Sequence, residues 1–397
     1  MVHQTINTKT HKANSASSNN NTMKRYLHLF LQFAIVGMLA ACVSTPPSSE
    51  GDVASVAFDD GGPLPDSIMQ SKSRWTPVRW RELPGWASDA GGMHDAWSAW
   101  LRSCEKPATA MAHLCQEVRR LTIASASEQR AWMMQKLQPY RVETHQGQSE
   151  GLLTSYYEPL LTASRIPRSG FSVPLYRPPA GMAGKSPWYT RQEMDTSAHV
   201  KAQLRGHEIA YVADPIDALI LQIQGSGRVN MIESDGSRRM VRLAFAATND
   251  QAYKSVGRWL LDQGGTRDVS WPGIKSWLAQ NPHRVNELMW SNPRVVFFRE
   301  EAMPDTQIGP KGAQGVALTP GRSIAVDRAS IPYGAPVWLA SEGAVQNLQK
   351  LVIAQDTGSA ILGAVRADYF MGWGAEAGEL AGRVKQPLRL WVLWSKN

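Results

Sequence analysis

The chain has 397 residues, 43% of them hydrophobic and 19% charged, which is enough for two domains or one large one and argues against wholesale disorder. A formal net charge of +8 and a pI near 9.4 suit an anionic polymer or surface. No Arg/Lys-rich helix, zinc spacing or RNA-binding aromatic signature accompanies that charge, so nucleic acid ranks low as a partner. The nine histidines include no HExxH and no paired cluster, so neither metal nor cofactor is expected.

Residues 1–22 are rich in Asn, Ser, Thr and His and read as a disordered extension. Met23-Lys24-Arg25 then opens a charged segment, and Leu27 to Ala41 is apolar but too short for a comfortable membrane span. Residues 23–41 therefore read as a secretory signal. The ending Leu39-Ala40-Ala41-Cys42 resembles the lipobox of bacterial lipoproteins, which makes Cys42 the lipidated first residue of the mature chain. Val43 stands where an inner-membrane retention signal would place Asp, and by that resemblance the destination is the outer membrane, facing the periplasm. Residues 42–74 are rich in Ser, Pro, Gly and Asp and read as a flexible tether.

From Trp75 to Val142 the pattern turns helical, with apolar residues at three- and four-residue steps in 93–101, 108–121 and 128–137. Cys104 and Cys115 fall in this region; in an exported protein they can pair, and two free buried thiols is the other reading. Gly151 to Pro159 reads as a strand closing at the proline. Between Ile209 and Val229 the pattern suggests strands, including the apolar run Ala218 to Ile223, with a tight turn at Gln224-Gly225-Ser226-Gly227-Arg228. That turn fits an anion cradle and a plain hairpin equally well. Helices are expected over 253–263 and 273–281, a strand over 294–298, two short strands within 323–339, a helix over 376–383 and a last strand over 388–394.

Leu351-Val-Ile-Ala354 delivers Asp356 into a Thr-Gly-Ser turn, and Ala360 to Val365 leads to Asp368, with Tyr369, Phe370 and Trp373 after it. A carboxyl against aromatic walls keeps its proton longer and suits general-acid work. Turn capping is the ordinary use of Asp beside Gly. Asp356-Thr-Gly-Ser-Ala360 also matches an aspartic-protease loop, but a single copy would need a symmetric dimer. A wall-binding lipoprotein without catalysis is the third reading.

Several segments together resemble the membrane-bound lytic murein transglycosylase A family with its C-terminal three-aspartate domain. They are Ser155 to Pro159, Asp214-Pro-Ile-Asp217 with Gln222 to Arg228, Asn292 to Phe298, Leu318 to Asp327, Ile331 to Gly334, Gln355 to Ile361, Arg366-Ala-Asp368 and Glu376 to Gly382. Leu362 departs from the pattern, standing where a Lys is usual.

The resemblance implies a mainly β fold, a double-psi β-barrel with an inserted second β-rich domain and flanking helices. The barrel domain is expected from 75–165 and 291–397, with the three-aspartate region at 318–397 and the insert at 166–290. The implied activity is that of a peptidoglycan lytic exotransglycosylase. It cuts the β-1,4 bond between N-acetylmuramic acid and N-acetylglucosamine without water and leaves 1,6-anhydro ends. The family's three aspartates fall on Asp327, Asp356 and Asp368, the last as the single acid/base. Asp368 and Asp356 are the candidate catalytic pair, with Gln224, Ser226, Arg228, Asp327 and Tyr157 as candidate glycan contacts; Tyr369, Phe370 and Trp373 read equally as pocket walls and as barrel core. The implied partners are glycan strands, the outer membrane through the lipid on Cys42, and other cell-wall enzymes.

Overall fold

The computed structural model describes residues 61–87 and 92–396. The expectations for 1–22, 23–41, Cys42 and the tether up to residue 60 lie outside the described residues. Strands β1 (Ile68–Met69) and β2 (Arg74–Pro77) lead into helices α1 (Met93–Ser103), α2 (Cys115–Arg120) and α3 (Ala126–Lys136). The apolar stripe of α1, with Met93, Ala96, Trp97 and Trp100 buried, docks it on the strands behind. α3 starts at a capping box in which Ser125 and Glu128 each accept the other's N–H. Trp97, Trp100 and Trp132 meet edge-on or tilted at 5.4 to 5.7 Å, worth roughly 0.5–1.5 kcal/mol per pair beyond the area they bury. Cys104 and Cys115 are paired, tying the end of α1 to the start of α2 across 11 positions.

β3 (Leu137–Glu143) and β4 (Gly151–Glu158) then run toward a second sheet. That sheet contains β5 (Leu160–Ser164), β6 (Val173–Tyr176), β7 (Glu208–Val212), β8 (Ser226–Ile232), β9 (Arg238–Thr248) and β10 (Val296–Ala302), in the order β10-β9-β8-β5-β7-β6. Helices α4 (Arg191–Thr196), α5 (Ala198–Leu204), α6 (Pro215–Gln224), α7 (Val256–Asp262), α8 (Trp271–Gln280) and α9 (Val285–Ser291) decorate it. The sheet thus runs from 160 to 302, wider than the expected insert of 166–290. Pro159 ends β4, and Leu160 pairs at once with Arg228 of β8.

One expectation fails here. Ala218 to Ile223 is not strand but the body of α6. Asp214 caps it by accepting the Ile216 N–H at 2.8 Å, Pro215 opens the first turn, and Gly225 closes it at φ +82°. The run is apolar almost all round because α6 is packed on both sides, against the second sheet and against α7 to α9. Burial on both sides erases the helical period.

After the second sheet come β11 (Ser323–Val326), β12 (Pro336–Ser341), β13 (Leu348–Asp356), β14 (Arg366–Trp373), α10 (Gly374–Ala381) and β15 (Lys385–Ser395). β15, β12, β13, β11, β14 and β4 close into a ring, because β15 pairs with both β12 and β4. β14 runs parallel to β4, and β11 parallel to β13. This mainly β barrel with a second β-rich domain and flanking helices is the expected architecture. Its interior holds Leu153, Ile324, Val337, Val352, Tyr369 and Leu390.

Where β4 crosses into the second sheet, Glu158 is fully buried. Its carboxylate accepts from Arg228 Nε at 2.8 Å and from Arg242 Nε at 2.6 Å. The two guanidinium groups also donate to the carbonyls of Thr306 and Ile308 on the returning chain, and Arg228 stacks on Trp373 at 3.7 Å. One cluster thereby joins β4, the second sheet, the return linker and the end of β14.

Candidate active site

Asp368 lies in the middle of β14, opposite Thr154 in the parallel register with β4. Alternation along β4 puts Thr154 and Tyr156 on one face and Ser155 and Tyr157 on the other. The first pair meets the two aspartates. Thr154 Oγ1 donates to Asp368 Oδ1 at 2.5 Å, and Arg366 Nη2 donates to Thr154 Oγ1 at 2.8 Å. Tyr156 Oη donates to Asp356 Oδ2 at 2.8 Å, and the Ala313 N–H donates to Asp356 Oδ1 at 2.8 Å.

The electrostatics separate the two carboxyls. Burial raises Asp368 to about 6, with help from the Asp356 charge and against the Thr154 hydroxyl and Arg366. Burial also raises Asp356, but the N–H groups of Ala313 and Thr357 and the Tyr156 hydroxyl pull the other way. Tyr156 is pushed well up by burial and by the two carboxylates, so it stays a donor.

Asp368 opens onto a cleft of about 240 Å³ between barrel and insert. The barrel wall is Thr154, Tyr156, Arg366 and the loop Gly358 to Ile361; the insert wall is Gln222 and Gln224 at the end of α6, with Tyr253, Asn292 and Arg294. Asp368 is the sole carboxylate among the described residues that line it. A carboxyl holding its proton to about 6, facing an open cleft rimmed with amides, can protonate a bound oxygen and take a proton back.

The family profile described as the MltA specific insert domain matches residues 152–299, and that described as the 3D domain matches 322–394. The membrane-bound lytic murein transglycosylase A of Vibrio cholerae is 32% identical over 260 residues, covering 63% of this chain and 67% of that protein. Among solved structures, the lytic transglycosylase LtgG of Burkholderia pseudomallei is 40% identical, with 84% of this chain and 98% of that chain covered and a TM-score of 0.57. MltA from Neisseria gonorrhoeae is 28% identical, with 84% and 96% covered and a TM-score of 0.69.

The chain belongs to the membrane-bound lytic murein transglycosylase A family.

Within this murein transglycosylase A fold, the expected site residues divide. Asp368 and Gln224 line the cleft, with Gln224 Oε1 occupied by the Tyr157 N–H at 3.0 Å, whereas Asp356 is not among its lining residues. Ser226 begins β8 beyond the turn, opposite Ala244. Arg228 is 5% exposed and belongs to the Glu158 cluster, because a buried carboxylate at the domain crossing needs a cation. Tyr157 faces a separate cavity of about 840 Å³ with Asp217, Trp271 and Lys275. Asp327 turns away from the cleft to the N–H groups of Gly363 and Ala329 and to Lys72 Nζ at 3.3 Å. Burial would raise Asp327, but these donors outweigh it and hold its carboxyl below the usual value.

Of the two readings of the aromatics, barrel core holds for Tyr369 and Phe370. Phe370 is packed against Tyr156, and Trp373 lies under Arg228. Thr154, Tyr156, Arg366 and Arg294 are among the cleft residues not singled out from the sequence. A period-two reading of Thr154-Ser-Tyr-Tyr157 starting from Thr154 would have selected Tyr156 instead of Tyr157.

Proposed function

We infer that this chain, a lytic murein transglycosylase by family, acts on peptidoglycan with Asp368 as its single acid/base. The observation that carries the reading is that Asp368 is the sole carboxylate lining the cleft among the described residues, where burial pushes its carboxyl up to about 6. Protonated Asp368 gives its proton to the glycosidic oxygen as the bond from C1 of N-acetylmuramic acid breaks, and N-acetylglucosamine leaves with a free 4-hydroxyl. The resulting carboxylate takes the proton from the C6 hydroxyl of the same sugar, whose oxygen bonds to C1. The product ends in 1,6-anhydro-N-acetylmuramic acid and Asp368 is again protonated. The nucleophile travels with the substrate, so the attack is intramolecular. A hydrolase would need a second carboxylate at the cleft to activate water or to bond the sugar. Asp356 acts through position: it fixes the loop leading to Ile361 and its charge helps keep the proton on Asp368.

Replacing Asp368 by Asn keeps the shape and removes the transferable proton. Release of soluble muropeptides from purified sacculi should fall by about a thousandfold while sacculus binding persists. Activity close to that of the wild type would remove Asp368 from this role.

We place the enzyme on the periplasmic face of the outer membrane, held by lipid on Cys42, with exo-acting cleavage and other cell-wall enzymes as partners. The support for the anchor and its placement is the Leu39 to Cys42 sequence with Val43 after it; exo action and partner enzymes rest on the family resemblance alone. Relatives are named membrane-bound, and no helix among the described residues is long and apolar enough to cross a membrane. Palmitate labelling with membrane fractionation checks this: label lost in Cys42→Ala is expected, and a soluble, unlabelled Cys42 protein would refute it.

A further inference from the structure

The cleft holds two guanidinium groups whose arrangement the reaction does not require. Arg366, two residues before Asp368, gives Nη1 to the carbonyls of Leu152 and Ala367 and Nη2 to the Thr154 hydroxyl. Its Nε has no partner among the described residues. Arg294, on the insert wall, gives Nη1 to the Gln251 carbonyl at 3.0 Å, while its Nε and Nη2 have no partner among the described residues. Neither guanidinium is in an ion pair there: Asp368 lies near Arg366 and Asp250 near Arg294, yet both attract only at a distance. Arg366 is thus held by two carbonyls and a hydroxyl and Arg294 by one carbonyl, so both are positioned before any ligand arrives.

Two fixed cations are a poor match for a neutral sugar, to whose hydroxyl and acetamide groups the amide N–H groups of Gln222, Gln224 and Asn292 in the same cleft are better suited. A free cation beside a general acid is also a liability, because it favours loss of the proton. Thr154 lies between Arg366 and Asp368 and limits that effect without removing it. A planar fork with donors to spare is suited to a carboxylate.

We propose that Arg366 and Arg294 bind a carboxylate on the muramyl side of the substrate, so that the cleft selects acid-bearing glycan over neutral N-acetylglucosamine polymer. This rests on the transglycosylase reading. Peptidoglycan presents that group in two ways: as the lactyl acid of peptide-free muramic acid, or as an acid group of the stem peptide. A carboxylate seated on Arg366 also cancels the charge that draws the proton from Asp368. The selected substrate thereby helps keep the acid protonated, whereas a neutral one does not.

The test measures KM and kcat separately for peptide-bearing and amidase-treated, peptide-free glycan, and affinity for chitohexaose, in wild type, Arg366→Gln and Arg294→Gln. Each substitution should raise KM for an acid-bearing glycan about tenfold or more, while chitohexaose affinity moves by less than about twofold. The glycan that shows the effect identifies the source of the carboxylate. Equal losses on acidic and neutral ligands, or no loss on either, would overturn the proposal. Should a variant fold poorly by thermal melting, the wild type supplies the check: added salt should weaken binding of acidic glycan and leave chitohexaose unaffected. Salt-insensitive binding of both would refute the assignment. A wild type that binds but cleaves no glycan would instead refute the transglycosylase reading, and the salt and variant dependence of binding would still judge the arginines.

Discussion

At the scale of single residues, the proposed chemistry rests on two aspartates that differ in their partners. Asp356 is held by Tyr156 and the Ala313 N–H and does not line the cleft, whereas Asp368 has one hydroxyl donor and lines it. The second environment suits a group that must gain and lose a proton within a cycle. The sign of its pH dependence follows. In the proposed mechanism the competent form of the free enzyme carries the proton on Asp368, and burial keeps it there up to about 6. Cleavage should therefore be retained below that value and lost above it, with kcat/KM falling about tenfold per pH unit. A pH profile of muropeptide release checks this; a rate that instead rose through pH 6 to 8 would mean that the charged carboxylate is the working form.

At the scale of elements, legibility tracked how each segment is buried. α1, α3 and the strands around Asp356 have one buried face or end in clear turns, so period and punctuation locate them. α6 has two buried faces, its period is masked, and only Asp214-Pro215 and Gly225 record its ends. β4 was recognised as a strand, but which of its faces meets the cleft depends on its pairing with β14, a contact more than two hundred residues distant in sequence. That pairing has a specific requirement at Gly151, where an added Cβ would lie 1.8 Å from the Val365 carbonyl oxygen. Gly151→Ala should destabilise the fold by about 1–3 kcal/mol or more and shift β4 against β14, lowering activity together with melting temperature. An unchanged melting temperature would show that the strand crossing tolerates the methyl group.

At the scale of the molecule, the cleft exists because an insert is set into a closed barrel and held at a fixed crossing. Glu158, Arg228 and Arg242 make that crossing rigid with buried charge, and one partner lost would leave another unpaired. Nothing local in the sequence distinguishes Arg228 there from a groove residue, since both roles place an Arg just after a Gly-rich turn. Only the meeting of β4, β8 and β9 decides it. The same architecture leaves Asp368 facing a cleft that no second carboxylate lines among the described residues, and this supports the central claim, a single acid with an internal nucleophile. Digestion of purified sacculi in ¹⁸O-water, with the muropeptides weighed by mass spectrometry, tests it most directly. Anhydro ends free of heavy oxygen, absent with Asp368→Asn, are the predicted result. Reducing-end N-acetylmuramic acid carrying ¹⁸O would contradict it and make the enzyme a hydrolase.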